Sequence, residues 1–442
     1  ALIDNSKLID APPNKITLNN ITSQMSNYDI TIIHTSTPSF KSDLKTAETL
    51  KFVNPHLKVG LIGAKAAVEP EKCLVASSAI DFVARNEFDF TIKELADGRS
   101  WDKIVGLSYR NKENVIIHNK DRSMTESMDE LPFVTPVYKR DLNIKNYFIG
   151  YLKHPYISLY TGRGCKSRCT FCLWPQTIGG HRYRTRSVGH VIEEMRWAKI
   201  NFQEVKEYFF DDDTFTDDIP RAEEIAKELG KLGITWSCNA KANVPYNTLK
   251  VFKDNGLRLL LVGYESGNQK ILHNIKKGMR IDVAEKFTKD CHELGVTIHG
   301  TFILGLPGET KETIEETIKF AIRNNPHTIQ VSLAAPYPGT YLYNQAVKEG
   351  WLDNDHAELV DENGVQLAPL HYPHLSHDEI FYSVDEFYKR FYFRSGKIAA
   401  IVSEMVRSPE MLKRRLREGV EFFQFLRERK ITSLNSPSEY QN

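Results

Sequence analysis

The sequence predicts an α/β chain in three parts: an N-terminal doubly wound, Rossmann-like sheet, a partial (β/α)6 barrel, and a C-terminal helical extension. Three observations carry this expectation. Apolar runs of strand length alternate with helical stretches through residues 1–140. A second alternating series of six strand–helix units fills residues 150–350. Beyond residue 351, to 442, the strands stop and the pattern turns helical.

In the first part, strands are expected at Tyr28–His34, Leu57–Ile62, Asp81–Ala84 and Ile104–Tyr109. Helices are expected at Lys41–Phe52, Pro70–Ser78 and Glu87–Leu95. Strand–helix alternation of this kind builds a parallel sheet. Such folds open with a strand and a ligand-binding loop; this chain opens otherwise, so the first strand is expected to be missing, and the true N-terminus with it, because residue 1 is Ala1. Residues 121–154 read as a linker, with Pro132 and Pro136 among polar residues.

The second part places strands at Ile157–Tyr160, Val205–Phe210, Thr235–Asn239, Leu259–Tyr264, Thr297–Leu304 and Thr328–Ala334. Between them lie helical stretches Val188–Lys199, Pro220–Leu232, Tyr246–Asn255, Asp282–Leu294 and Glu309–Asn324. Thr310 reads as a cap, and Gly256 and Gly295 as helix stops. Right-handed crossovers then curl the series into a partial barrel. The third part, Ser376–Lys430, is rich in Phe, Tyr and Arg.

A chain of 442 residues with 41% apolar and 26% charged residues is long enough for two or three domains of ordinary globular composition. The net charge of +1 gives no global attraction to nucleic acid, so no nucleic-acid partner is expected. No apolar run of membrane-spanning length and no secretory signal is visible, which points to the cytoplasm. Six cysteines do not make a disulfide scaffold, and three of them crowd into eight residues. Cys73, Cys238 and Cys291 are scattered and read as buried small hydrophobes.

The crowded segment runs Thr161-Gly-Arg-Gly-Cys165-Lys-Ser-Arg-Cys169-Thr-Phe-Cys172, directly after the first barrel strand. Three thiolates on one loop can fill three corners of an iron–sulfur cubane and leave the fourth iron open to a small chelating molecule. Structural zinc prefers four closed ligands in two pairs; no second pair exists, and His181 would have to complete the set. Barrel enzymes place chemistry at the C-terminal ends of strands. Those ends carry Asp211-Asp212-Asp213, Asn239-Ala240-Lys241, Glu265-Ser266-Gly267 and Gly305-Leu-Pro-Gly308. Arg182, Arg184 and Arg186 could hold a carboxylate, and Ala335–Thr340 could face substrate; a solvated loop and an ordinary turn are the alternatives.

With its CxxxCxxC spacing and an aromatic residue before the last cysteine, the chain resembles the radical S-adenosylmethionine (SAM) superfamily. The resemblance implies a [4Fe–4S] cluster on Cys165, Cys169 and Cys172, and reductive cleavage of SAM to a 5′-deoxyadenosyl radical. It also implies that Phe171 lies near the adenine, that one of Asp211, Asp212 and Asp213 takes the SAM amino group, and that Lys241 takes its carboxylate. Glu265, with Ser266 beside it, fits the ribose contact, and Gly305 the adenine strand.

An open α/β domain ahead of such a barrel resembles the B12-binding class, in which a cobalamin lies between the two parts. The lower-ligand signature of that class, Asp-x-His-x-x-Gly, is absent from residues 1–154, where it would be expected, and His34 is a lone histidine at a strand end. Narrower still, Cys172–Arg186, Asp211–Thr216, Trp236–Asn243 and Arg407–Met411 resemble the radical SAM proteins of hopanoid biosynthesis. That implies a hopanoid lipid substrate, glucosaminyl bacteriohopanetetrol, whose sugar is contracted to a cyclitol ether. It implies an electron donor such as flavodoxin or ferredoxin. The alternatives are a cobalamin-dependent methylase or cyclase on another substrate, and a non-catalytic iron–sulfur or zinc protein. Cys238, Cys291 and Tyr264 are candidates for quenching a product radical. Residues 387–430 hold twelve Lys or Arg against five Asp or Glu, with clustered aromatics, which suits contact with the inner face of a membrane or a helical pair packed on the barrel.

Overall fold

The computed structural model describes residues 1–352, 358–361, 364–407 and 409–435. Five strands form the N-terminal sheet: β1 Ile30–His34, β2 Lys58–Ile62, β3 Phe82–Ala84, β4 Leu107–Arg110 and β5 Ile116–His118, side by side in chain order. Strands β1 to β3 are parallel, but β4 and β5 run antiparallel, which departs from the expected parallel sheet. For β5 the reason is local: residues 111–114 close a tight turn, with Asn114 at φ 63°, and a short hairpin cannot join parallel strands; β4 itself returns antiparallel to β3 after helix Asp89–Ala96. Alternation along the strands sends Val59, Leu61 and Val83 to one face and Ile30, Ile32, Phe82 and Ala84 to the other. Helix Phe40–Val53 covers the first face and helix Asp89–Ala96 the second, so both faces are buried.

The second sheet is the expected partial barrel. After β6 Tyr156–Leu159 come two two-residue strands, β7 Gly162–Arg163 and β8 Arg184–Thr185, which pair with each other. The barrel continues with β9 Glu207–Phe210, β10 Trp236–Ala240, β11 Leu257–Glu265, β12 Thr297–Leu304 and β13 Thr328–Leu333. These six strands are parallel, in the order β6-β9-β10-β11-β12-β13. Outward positions such as Ile157, Phe210, Trp236, Leu260 and Phe302 pack under the surrounding helices in one core. Thr310 and Thr313 form the capping box of helix Lys311–Asn324, and Gly256 and Gly295 take positive φ past helix ends, as the residue types require.

Inside the barrel, Leu152, Tyr156 and Phe209 form a small apolar plug with Leu261. Above the plug, toward the C-terminal strand ends, the inward positions are polar. The helical extension comprises His377–Tyr392, Ser395–Arg407 and Pro409–Asn435. Its first helix seals the free edge of β13: the Val331 and Ile329 N–H groups donate to the Tyr388 and Tyr392 hydroxyls at 2.9 Å. Phe387, Tyr388 and Phe391 are buried, whereas Phe393 and Phe423 are exposed. Among the described residues no helix is long and apolar enough to cross a membrane.

Candidate active site

The cysteine loop is held from below by carboxylates of the β9 end. Asp212, fully buried, accepts the Thr161 N–H and hydroxyl at 2.5 Å each and the Tyr183 hydroxyl at 2.6 Å. Arg221 closes this knot by donating to the Thr161 carbonyl at 3.0 Å. Asp213 accepts the Gly164 N–H at 2.9 Å. Gly164 has φ +88°, and a Cβ there would lie 2.4 Å from the Arg182 carbonyl oxygen. Its glycine is therefore demanded by the chain's own backbone crossing.

On the loop itself, Cys165 and Cys169 are buried and Cys172 is half-buried, and all three are free thiols. The Gln176 amide donates to the carbonyls of Cys169, Thr170 and Cys172, at 3.2, 3.2 and 2.7 Å, and fixes the turn between the last two thiols. Burial raises the Cys169 thiol and pushes Cys172 up to about 12, so these sulfurs favour protons until a metal replaces them. Cys73, Cys238 and Cys291 lie in the hydrophobic cores, so no fourth cysteine joins the loop. Among the described residues no three His, Cys, Asp or Glu side chains converge on one metal ion. The His181 ring, the fourth ligand a zinc site would need, bonds the Ser167 carbonyl through Nδ1 at 2.8 Å. Three separated thiols on one loop fit a cubane with an open corner.

Asp212 and Asp213 are committed to backbone and hydroxyl donors, which leaves Asp211 as the carboxylate facing the lumen, with Asn239 donating at 3.1 Å. Burial pushes Asp211 up to about 6; its two neighbouring carboxylates add to this. Lys241 is paired with Asp217 at 2.5 Å. Ser266 is fully buried against the Thr317 hydroxyl at 3.1 Å and faces away from the lumen. Glu265, held at φ 62° by a register shift in β11, pairs with Lys277 at 2.6 Å. Lys277 escaped the sequence reading: it lies on a turn twelve positions after Glu265, with no motif of its own. Together the pair offers a carboxylate to hydroxyls and an ammonium to an anion, beside Cys169 and Cys172.

Gly305 has φ +81°; its N–H donates to Glu309 at 2.6 Å and its carbonyl accepts from Tyr372 at 2.8 Å. Glu309 is fully buried, which pushes it up to about 8. Phe171 packs against the main core at the loop. The three arginines do not form a receptor. Arg184 makes two bonds to Glu87 at 2.5 and 2.8 Å, Arg186 pairs with Glu194 at 2.6 Å, and Arg182 pairs with Glu126. The Ala335–Thr340 loop packs Gly339 against Val68 of the N-terminal part and against Thr177. The three quencher candidates also face away: Cys238 and Cys291 lie in the outer core, and the Tyr264 hydroxyl meets Thr288 at 2.6 Å. Ser408, within the Arg407–Met411 segment, lies outside the described residues.

A profile of the radical SAM superfamily matches residues 159–321, from the end of β6 into helix Lys311–Asn324. An uncharacterized methyltransferase of Pyrococcus horikoshii is 33% identical over 357 residues, 78% of this chain and 76% of that protein. The anaerobic magnesium-protoporphyrin IX monomethyl ester cyclase of Rubrivivax gelatinosus is 24% identical over 374 residues, 81% of this chain and 65% of the cyclase. Among solved structures, the radical SAM methyltransferase TsrM from Kitasatospora setae, with cobalamin and a [4Fe–4S] cluster bound, superposes with a TM-score of 0.67 at 14% identity, covering 97% of this chain and 94% of its own. The chain belongs to the radical SAM superfamily, whose enzymes use SAM and a [4Fe–4S] cluster. Its fold is that of the cobalamin-dependent radical SAM enzymes.

Proposed function

We propose that this enzyme cleaves SAM and forms a carbon–carbon bond on a hydroxyl- or amine-bearing substrate, by methyl transfer or by radical cyclisation. The observation that carries the reading is the free three-thiol loop set over a lumen whose Asp211 carboxylate meets no cation among the described residues. The names of the curated relatives, a methyltransferase and a cyclase, support the reaction class. A [4Fe–4S] cluster on Cys165, Cys169 and Cys172 would supply the electron that splits SAM. Glu265 would accept from ribose hydroxyls and Lys277 would meet the SAM carboxylate, while Asp211 and Asn239 orient the polar head of the substrate. Flavodoxin or ferredoxin would deliver the electron. Cobalamin would lie between the two sheets. There Gly63, at φ +110°, opens a short alanine-rich helix, and the buried Thr35 hydroxyl has no partner among the described residues. No Asp-x-His-x-x-Gly loop of the N-terminal part offers a lower ligand; the match at Asp290–Gly295 lies at the end of barrel helix Ile281–Glu293.

The particular substrate we propose is glucosaminyl bacteriohopanetetrol, its sugar contracted to the cyclitol ether of a hopanoid lipid. The lumen favours it: Ser158, Asp211, Asn239, Thr301 and Ser332 occupy inward strand positions, and a carboxylate without a cation suits an aminosugar. Anaerobically reconstituted enzyme, incubated with this substrate, SAM and a reductant and read by mass spectrometry, separates the readings. Ring contraction adds no CH2, whereas methyl transfer adds one. Formation of 5′-deoxyadenosine without product removes the hopanoid substrate, and absence of 5′-deoxyadenosine removes the reaction class.

A further inference from the structure

At the N-terminal ends of the barrel strands, on the far side of the Leu152–Tyr156–Phe209 plug from the cysteines, lies a cavity of about 430 Å3. Its floor is buried: His299, Ile329 and Tyr388. Its walls come from the three C-terminal helices, with Tyr392, Ile401, Phe422 and Phe425. Its rim is apolar yet open to solvent, with Phe393, Ile398, Val402 and Phe423 exposed by 52, 44, 51 and 61%. Apolar side chains therefore continue unbroken from a buried floor to the surface. The volume is that of a small-molecule site.

A second cavity of about 280 Å3 shares Tyr151, Thr328 and Arg415 with the first, and is lined by the charged side chains of Arg258, Glu404, Arg414 and Arg415. Its cations are matched: Arg258 pairs with Glu207, Arg414 with Glu418, and Arg415 with Glu404 and Glu418. A free anion gains little there, whereas a zwitterionic head meets a charge of opposite sign at each end. We infer that the two cavities form one binding site for an amphipathic lipid, its hydrocarbon part among the aromatic walls and its polar head against the arginine–glutamate pairs. A folded protein partner would cover the exposed rim but leave the deep apolar floor unfilled. The site lies at the opposite end of the barrel from the cysteine loop and is separate from the reaction proposed above.

Holo-enzyme titrated with a lysophosphatidylcholine carrying a fluorescent nitrobenzoxadiazole group on its acyl chain, below its micellar concentration, tests this. One saturable site with blue-shifted emission is expected, competed by unlabelled lysophosphatidylcholine and not by glycerophosphocholine or SAM. Gly419 lines the cavity, and a Cβ built there meets nothing within 4 Å. Gly419→Phe should therefore plug the space and weaken binding about tenfold or more, with iron content and 5′-deoxyadenosine yield unchanged. Ile401→Trp is a second plug from another helix. Absence of saturable binding, wild-type affinity in both variants, competition by SAM, or a dimer in solution that excludes the probe would each overturn the assignment. The readout is binding, so it stands or fails independently of turnover.

Discussion

Asp211, Asp212 and Asp213 are chemically identical neighbours, and the fold separates them completely. The Cys165–Cys172 spacing was readable in one dimension, because three ligands on one loop need no tertiary information. The three aspartates were not, because their roles depend on which of Thr161, Gly164 and Asn239 each meets across strands. Lys277 was invisible for the same reason: only the β11 bulge turns Glu265 toward it. Asp212→Ala strands the Thr161 N–H, the Thr161 hydroxyl and the Tyr183 hydroxyl inside the protein. At about 1–3 kcal/mol for each buried unpaired donor, a loss of ~3 kcal/mol or more is expected, and iron retention should fall with it. Asp211→Asn should be no less stable than wild type, because it removes a buried charge that no cation meets, and it should act on substrate affinity instead. Urea unfolding and iron content of the two variants, measured side by side, check the contrast.

At the scale of elements, long periodic strands and helices were legible within a residue or two, since each carries its own buried stripe. The departures are short and context-made: the antiparallel β4–β5 hairpin, the two-residue β7–β8 ribbon and the tyrosine-sealed edge of β13. The turn after β12 shows an element held by an ionisable group. Glu309 accepts the Gly305 and Leu306 N–H groups, while its other oxygen has no partner. Its folded-state value of about 8 stands above the ordinary 4.5, so the folded protein binds this proton more tightly than the unfolded chain. Stability from this group is therefore full below about pH 4.5 and declines as pH rises through 8. Wild type should lose on the order of 2 kcal/mol or more between about pH 6 and 9 from this source. Glu309→Gln, which keeps an acceptor for the two N–H groups, should flatten that dependence. Equal free energies of urea unfolding at the two pH values would exclude a buried acid at this turn.

The molecule as a whole is joined through charges that the sequence presented as a receptor for something else. Arg184 and Arg163 sit on the β7–β8 ribbon beside the cysteine loop, and they reach Glu87 and Asp89 at the start of helix Asp89–Ala96 in the N-terminal part. Glu87 and Arg184 are each 2% exposed in their side chains. The Thr125 N–H also donates to Glu87 at 2.8 Å, so the linker is tied into the same contact. Such a pair adds modest net stability against an apolar replacement, but losing one partner leaves the other charge buried and costs about 3–5 kcal/mol. Its directional bonds instead fix how the N-terminal sheet meets the loop that bears the thiols. Arg184→Leu and Glu87→Leu should therefore each lower stability by about that amount, and each should expose residues 121–134 to protease. The double replacement should recover most of the stability, because neither charge is then stranded, yet it should not restore iron incorporation to wild-type yield. Recovery of both together would show that the contact only stabilises, and that apolar packing alone can set the two sheets in register.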